Sequence, residues 1–188
     1  MSSEVGIRRS SAPLLGHKGA TVSAIAGIDF DSTGVYVVLV DEESGAYLER
    51  LAADLAGGTA DAFDRARRVR DLLPFRGWWR DTCIAVGIEE PFSNSYRSAA
   101  GLARVQGAVL ACLPPDLLAC PIAPNRKAPD GWKALTVGTT TASKEEVREW
   151  AESHGLPVGL EQDFADAFCI ARAMRSIYAA REVDRVAA

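Results

Sequence analysis

Apolar residues gather into short runs in the first half of the chain and into helical stripes in the second. Over 22–30, Ile25, Ala26 and Ile28 precede Asp29, and the run predicts a buried strand. Asp31, Ser32, Thr33 and Gly34 then supply a turn. A β-branched run over 35–40 predicts a second strand, and 46–51 a third. Connections this short join antiparallel neighbours. An amphipathic helix is predicted over 59–73, with Ala62, Phe63, Ala66, Val69 and Leu73 on one side. The run 83–88 is almost continuously apolar, as in a strand at a sheet centre covered on both faces. An Ala- and Gly-rich helix follows over 95–113, then a fifth strand over 117–122. Short helices are predicted over 132–137 and 144–154, the latter with Ser143 as N-cap and Glu146 completing a capping box. The last helix is predicted over 164–181.

Three strands in a meander followed by strand–helix alternation predict an α/β fold: a mixed five-stranded sheet flanked by helices on both faces. At 188 residues the chain has the length of one domain. That domain is placed at 22–181, between a flexible N-terminal tail at 1–21 and a C-terminal tail at 182–188. With 48% hydrophobic and 24% charged residues, the composition is that of a globular protein able to bury a core without disulfides. Cys83, Cys112, Cys120 and Cys169 form no C-x-x-C pair, which argues against a zinc knuckle and for reduced thiols in a cytoplasmic protein. No apolar run approaches the roughly 20 residues of a membrane span. The net charge of −4 excludes binding by bulk positive charge. A local basic surface is still available. Residues 94–148 hold seven basic side chains (Arg97, Arg104, Arg126, Lys127, Lys133, Lys144, Arg148) against four acids, +3 in a chain that is otherwise −7.

Four acids draw attention by position. Asp29 and Glu89 end apolar strands, where ligands gather in open α/β sheets, and the element order lets those strands be neighbours. Asp163 and Asp166 open the last helix about 60° apart on the wheel. Ile170, Met174 and Ile177 continue their sector, so the two acids face the protein rather than solvent. Buried carboxylates must be protonated, paired or metal-bound, and an all-oxygen donor set favours magnesium or manganese over zinc. Each acid also has a plainer reading: Asp29 opens a turn, Glu89 ends a strand in water, and Asp163 caps a helix with Asp166 completing the box. His17, in the tail, and His154, at a helix end before Gly155, are poor catalytic candidates.

The motifs resemble those of the RuvC-type Holliday junction resolvases. Gly27-Ile28-Asp29-Phe30-Asp31-Ser32 is similar to their first-strand motif, and Gly87-Ile88-Glu89-Glu90-Pro91-Phe92 to their second. The segment from Trp132 to Gly138, followed by Ser143 to Val147, is similar to their lysine-bearing segment. Asp163-Phe164-Ala165-Asp166-Ala167 resembles their closing D-x-x-D-A helix. The ordered set spans about residues 25–174. The resemblance implies a ribonuclease H-like fold and a homodimer that cuts four-way DNA junctions. It further implies two divalent ions, Mg²⁺ or Mn²⁺, held by Asp29, Glu89, Asp163 and Asp166, with Lys133 and Lys144 near the scissile phosphate and Phe92 stacking on bases. Arg97, Arg126 and Lys127, with those lysines, are candidate DNA contacts.

The chain departs from the pattern at Asp31, where the family has glycine, at Pro91, which stiffens the approach to Phe92, and in the tail before Val22. Other readings are a 3′-5′ exonuclease or flap nuclease of the same fold, a catalytically silent DNA-binding protein, and an actin-like kinase. The last needs two copies of the fold, which 188 residues do not hold.

Overall fold

A computed structural model describes residues 8–9, 22–31, 33–55, 64, 67–69, 82–91, 96–128 and 130–187. Its strands are β1 (Arg8–Arg9), β2 (Ala24–Phe30), β3 (Gly34–Asp41), β4 (Tyr47–Asp54), β5 (Cys83–Glu89) and β6 (Leu118–Ile122). Its helices, as numbered here, are α1 (Tyr96–Cys112), α2 (Trp132–Thr136), α3 (Lys144–Ser153) and α4 (Gln162–Ala187). The sheet order is β1-β4-β3-β2-β5-β6. β2, β3 and β4 form the antiparallel meander, while β2–β5 and β5–β6 are parallel, giving the five mixed strands expected, with the two-residue β1 added as a sixth at the β4 edge.

One cluster of buried side chains lies on each face of the sheet. Ala24, Ala26, Ile28, Val35, Val37 and Leu39 point to the face covered by Val105 and Val109 of α1. Ile25, Val38, Val40 and Ala85 point to the face covered by α2, α3 and α4. The strict alternation in β2 and β3 follows the period of the pleat. Both sets are apolar because both faces are covered, which is why these strands read as unbroken apolar runs.

On the α4 face, β2 reads Ile25-Gly27-Asp29 and β5 reads Ala85-Gly87-Glu89, with Gly27 directly opposite Gly87. The glycines make room for α4. A Cβ at Gly27 would overlap the Ala167 carbonyl oxygen and the Ala171 amide and lie 2.9 Å from the Ala171 Cα. At Gly87 it would meet only the side chains of Ile122 and Ile170 and the Met174 Cβ, each at 3.0 Å. The helix backbone thus rests on the strand backbone, one residue from Asp166 and two from Asp29.

Several boundaries differ from the expectation. α4 begins at Gln162 and runs to Ala187 rather than ending at Arg181. No Gly or Pro follows Gly159 to stop it, and the i,i+3 Arg185–Glu182 pair supports its last turns. Residues 182–187 are therefore helix. Within the predicted tail, Arg8 and Arg9 pair with Ala52 and Leu51 along the open edge of β4; the rest of 1–21 lies outside the described residues. So does most of the helix expected over 59–73, although residues 64 and 67–69 are helical and Val69 is buried. The Ser143–Glu146 capping box is present in both directions, at 3.2 and 2.7 Å.

The connection from β6 to α2 is a loop closed at its base. Ala123 bridges to Gly131, and its carbonyl accepts the Trp132 amide at 3.0 Å. A Cβ at Gly131 would strike the Arg126 carbonyl, so glycine here lets the middle of the loop fold back onto its end. Arg126 and Lys127 are exposed on this loop. Among the described residues, no helix is long and apolar enough to cross a membrane.

Candidate active site

The four acids come together where the sheet was expected to place a ligand. β2 and β5 are parallel neighbours, so Asp29 and Glu89 emerge side by side beyond the Ile28–Ile88 pair. The first turn of α4 lies over them and contributes Asp163 and Asp166. Oxygens of Asp29, Asp163 and Asp166 all lie within 4.8 Å of one another. Glu89, one position past the Ile28–Ile88 pair on the neighbouring strand, is the fourth acid, and its charge acts on Asp29. Asp163 is not the N-cap of α4: the helix starts one residue before it, and both aspartates sit inside the first turns.

Burial and mutual repulsion set the electrostatics. Asp29 is 6% exposed, and its carboxyl is held well above the usual range by burial first, then by Glu89, Asp166 and Asp163. Asp166 is pushed up to about 6, chiefly by burial, with Glu89 and Asp163 adding to it and Lys133 opposing. Asp163 is raised by burial and by Asp31, and Lys144 opposes that shift. The charge of Lys133 thus acts on Asp166 and that of Lys144 on Asp163. The Lys133 ammonium is also tied to the Ala142 carbonyl at 3.0 Å, while Lys144 is exposed at the start of α3.

Neutral donors hold the outer acids, and none of them was picked out from the sequence. The Trp132 indole N–H donates to Glu89 Oε1 at 3.2 Å. The Gln162 amide N–H donates to Asp166 Oδ1 at 2.9 Å while its oxygen accepts from Arg148 at 3.0 Å, which fixes which way the amide points. Tyr36 lies opposite Asp29 in the β2–β3 register, stands edge-on against Phe164 with ring centroids 5.3 Å apart, and its hydroxyl feels the charge of Asp163. Burial and the surrounding acids raise that hydroxyl to about 12, so it remains a donor. The only sequence signal for Tyr36 was its register: two residues past the turn glycine, on the face shared with Asp29. Asp31 accepts from the Thr33 amide at 2.5 Å, the Gly34 amide at 2.7 Å and the Thr33 hydroxyl at 2.8 Å, so its carboxylate serves the turn.

The remaining candidates do not all meet at the acids. Arg126 is exposed on the closed loop and pairs with Glu90 at 3.1 Å beside a small cleft lined by Pro91, Ala123, Pro124 and Asn125. Lys127 follows it. Arg97 lies in the first turn of α1, and Phe92 falls outside the described residues.

No protein-family model and no curated protein matches the sequence. Among solved structures, the chain is similar to Thermus thermophilus RuvC, with a TM-score of 0.65 at 22% identity over 85% of this chain and 96% of that one. It is similar to T. thermophilus RuvC in complex with Holliday junction substrate, with a TM-score of 0.64 at 21% identity over the same shares of the two chains. The mixed sheet with helices on both faces, carrying Asp29 and Glu89 at the ends of two central parallel strands, is thus a RuvC-like fold.

Proposed function

We propose that the protein is a metal-dependent, structure-selective DNA endonuclease that resolves four-way junctions by paired phosphodiester hydrolysis, acting as a homodimer. The observation that carries this reading is the convergence of Asp29, Asp163 and Asp166 within 4.8 Å, with Glu89 at the end of the strand beside Asp29. Carboxylates packed this closely, one of them buried, call for a cation. The donor set is oxygen only, which fits magnesium or manganese. Asp29, Glu89, Asp163 and Asp166 would hold two such ions, which when bound supply an activated water and stabilise the leaving oxygen.

The chain's own groups do the rest. Trp132 and Gln162 hold Glu89 and Asp166 in place, so these acids lose little freedom when they bind a cation. Lys133 and Lys144 bring positive charge to the side where a phosphate would enter. Arg126 and Lys127, exposed on the neighbouring loop, are proposed to grip the flanking backbone, with Arg97 and Phe92 as further DNA contacts.

The test is cleavage of a labelled four-way junction with magnesium, beside a linear duplex of the same sequence and an Asp166→Asn control. Paired nicks in the junction alone, lost in the variant, are expected. An Asp166→Asn protein that cuts at the parental rate refutes the metal site, and trimming of the duplex ends refutes the resolvase reading in favour of an exonuclease. Sedimentation of an active protein as a monomer that still makes paired nicks refutes the dimer.

A further inference from the structure

Glu89 is the one acid of the four whose carboxylate is reached by a side chain from the deep core. Trp132 is 1% exposed, and its indole N–H ends on Glu89 Oε1. A buried indole N–H needs an acceptor, but a backbone carbonyl would serve it as well as a carboxylate does. The tryptophan is held from several sides. Its amide donates to Ala123, its carbonyl accepts the Thr136 hydroxyl at 2.8 Å, and the Lys133 ammonium lies 5.5 Å from its ring centre. Glu89 is held at its other end as well, its carbonyl accepting the Gln106 side chain from α1 on the opposite face of the sheet at 3.2 Å.

We propose that Trp132 is a positioning residue that orients the Glu89 carboxylate and thereby sets the affinity of the acidic site for a divalent cation. The proposal rests on the metal-site reading above. A neutral donor is the group such a role requires: it removes the rotational freedom of a carboxylate without cancelling the charge that a cation must find. A lysine or arginine in its place would compete with the cation. Because α2 also carries Lys133, whose charge acts on Asp166, one short helix sets both the orientation of one acid and the field at another.

The experiment compares the parent with Trp132→Phe and with a protein carrying benzothienylalanine at position 132, which keeps the bicyclic shape and replaces the N–H by sulfur. The readout is the Mn²⁺ concentration giving half of the metal-dependent rise in melting temperature. The benzothienyl protein is expected to melt near the parent in EDTA and to need about 10- to 100-fold more Mn²⁺. Its KM for the junction at saturating Mn²⁺ should stay close to parental. A midpoint equal to that of the parent in the benzothienyl protein overturns the proposal, and this variant decides the matter if Trp132→Phe does not fold. A parent that shows no Mn²⁺-dependent rise overturns the metal-site reading and this proposal together.

Discussion

Replacing Gly27 by alanine tests how the site is built, because the added methyl lands on backbone. The Cβ would overlap the Ala167 carbonyl and the Ala171 amide, and these atoms cannot swing aside as a side-chain tip can. Ordinary carbon contacts begin at about 3.5 Å, so α4 must lift off the sheet by on the order of 1 Å. Overpacking of this kind costs about 1–3 kcal/mol. For a chain of this size that lowers the melting temperature by about 2–12 °C. The lift also carries Asp166 away from Asp29, and a 1 Å misplacement costs about 100-fold in rate. The assays are melting in EDTA, the Mn²⁺ midpoint of stabilisation, and junction cleavage. Two controls calibrate them. Gly87→Ala meets only Ile122, Ile170 and Met174 atoms at 3.0 Å and should be milder. Gly107→Ala has open space around it on an exposed helix position and should stabilise by about 1 kcal/mol. Parental melting and a parental Mn²⁺ midpoint in Gly27→Ala would falsify the argument.

Three further outcomes are expected. In EDTA, Asp29, Asp163 and Asp166 have higher pKa values folded than unfolded, so the folded state holds more protons and their contribution to stability is full below about pH 4 and lost as pH rises through the folded values, about 6 for Asp166 and well above the usual range for Asp29. Urea midpoints in EDTA should therefore fall from pH 5 to pH 8, less steeply in Asp166→Asn, and a parent and variant with identical slopes would contradict this. Glu90→Gln should release Arg126 and tighten junction binding by up to about fivefold, the value of an exposed ion pair, with no gain when Arg126 is already alanine; equal tightening in both backgrounds counts against the pairing. Arg175→Ala should cost about 1 kcal/mol in urea denaturation and leave the Mn²⁺ midpoint alone, because Arg175 ties the Glu42 and Glu43 carbonyls of the β3–β4 turn to α4, away from the acids; a shifted midpoint would refute that separation.

What was legible in the sequence follows from how locally each feature is encoded. The strands β2, β3 and β5 show as apolar runs because the residues that make them are contiguous and both faces are buried. The Ser143–Glu146 box is a four-residue signal and was readable as such. Asp29 and Glu89 could be brought together from strand order, and the inward aim of Asp163 and Asp166 from the stripe through Ile170 and Met174, both fully buried. Trp132, Tyr36 and Gln162 were not picked out, since each acts on an acid from another part of the fold and its type alone says only aromatic core or surface amide. The end of α4 was set too early because the charged residues after Arg181 look like a solvated tail, and their helix-supporting pair is visible only in three dimensions.

The loop that closes between Ala123 and Gly131 has a consequence for how substrate choice can change. Its two ends meet through backbone alone, and Glu89 and Lys133 are anchored outside it, by Trp132, Gln106 and Ala142. The exposed side chains of Arg126 and Lys127 can therefore be recharged, while the Arg126 backbone packed on Gly131 fixes the path of the loop. On the proposed function, a change of charge there would alter the grip on DNA and leave the spacing of the acids as it is.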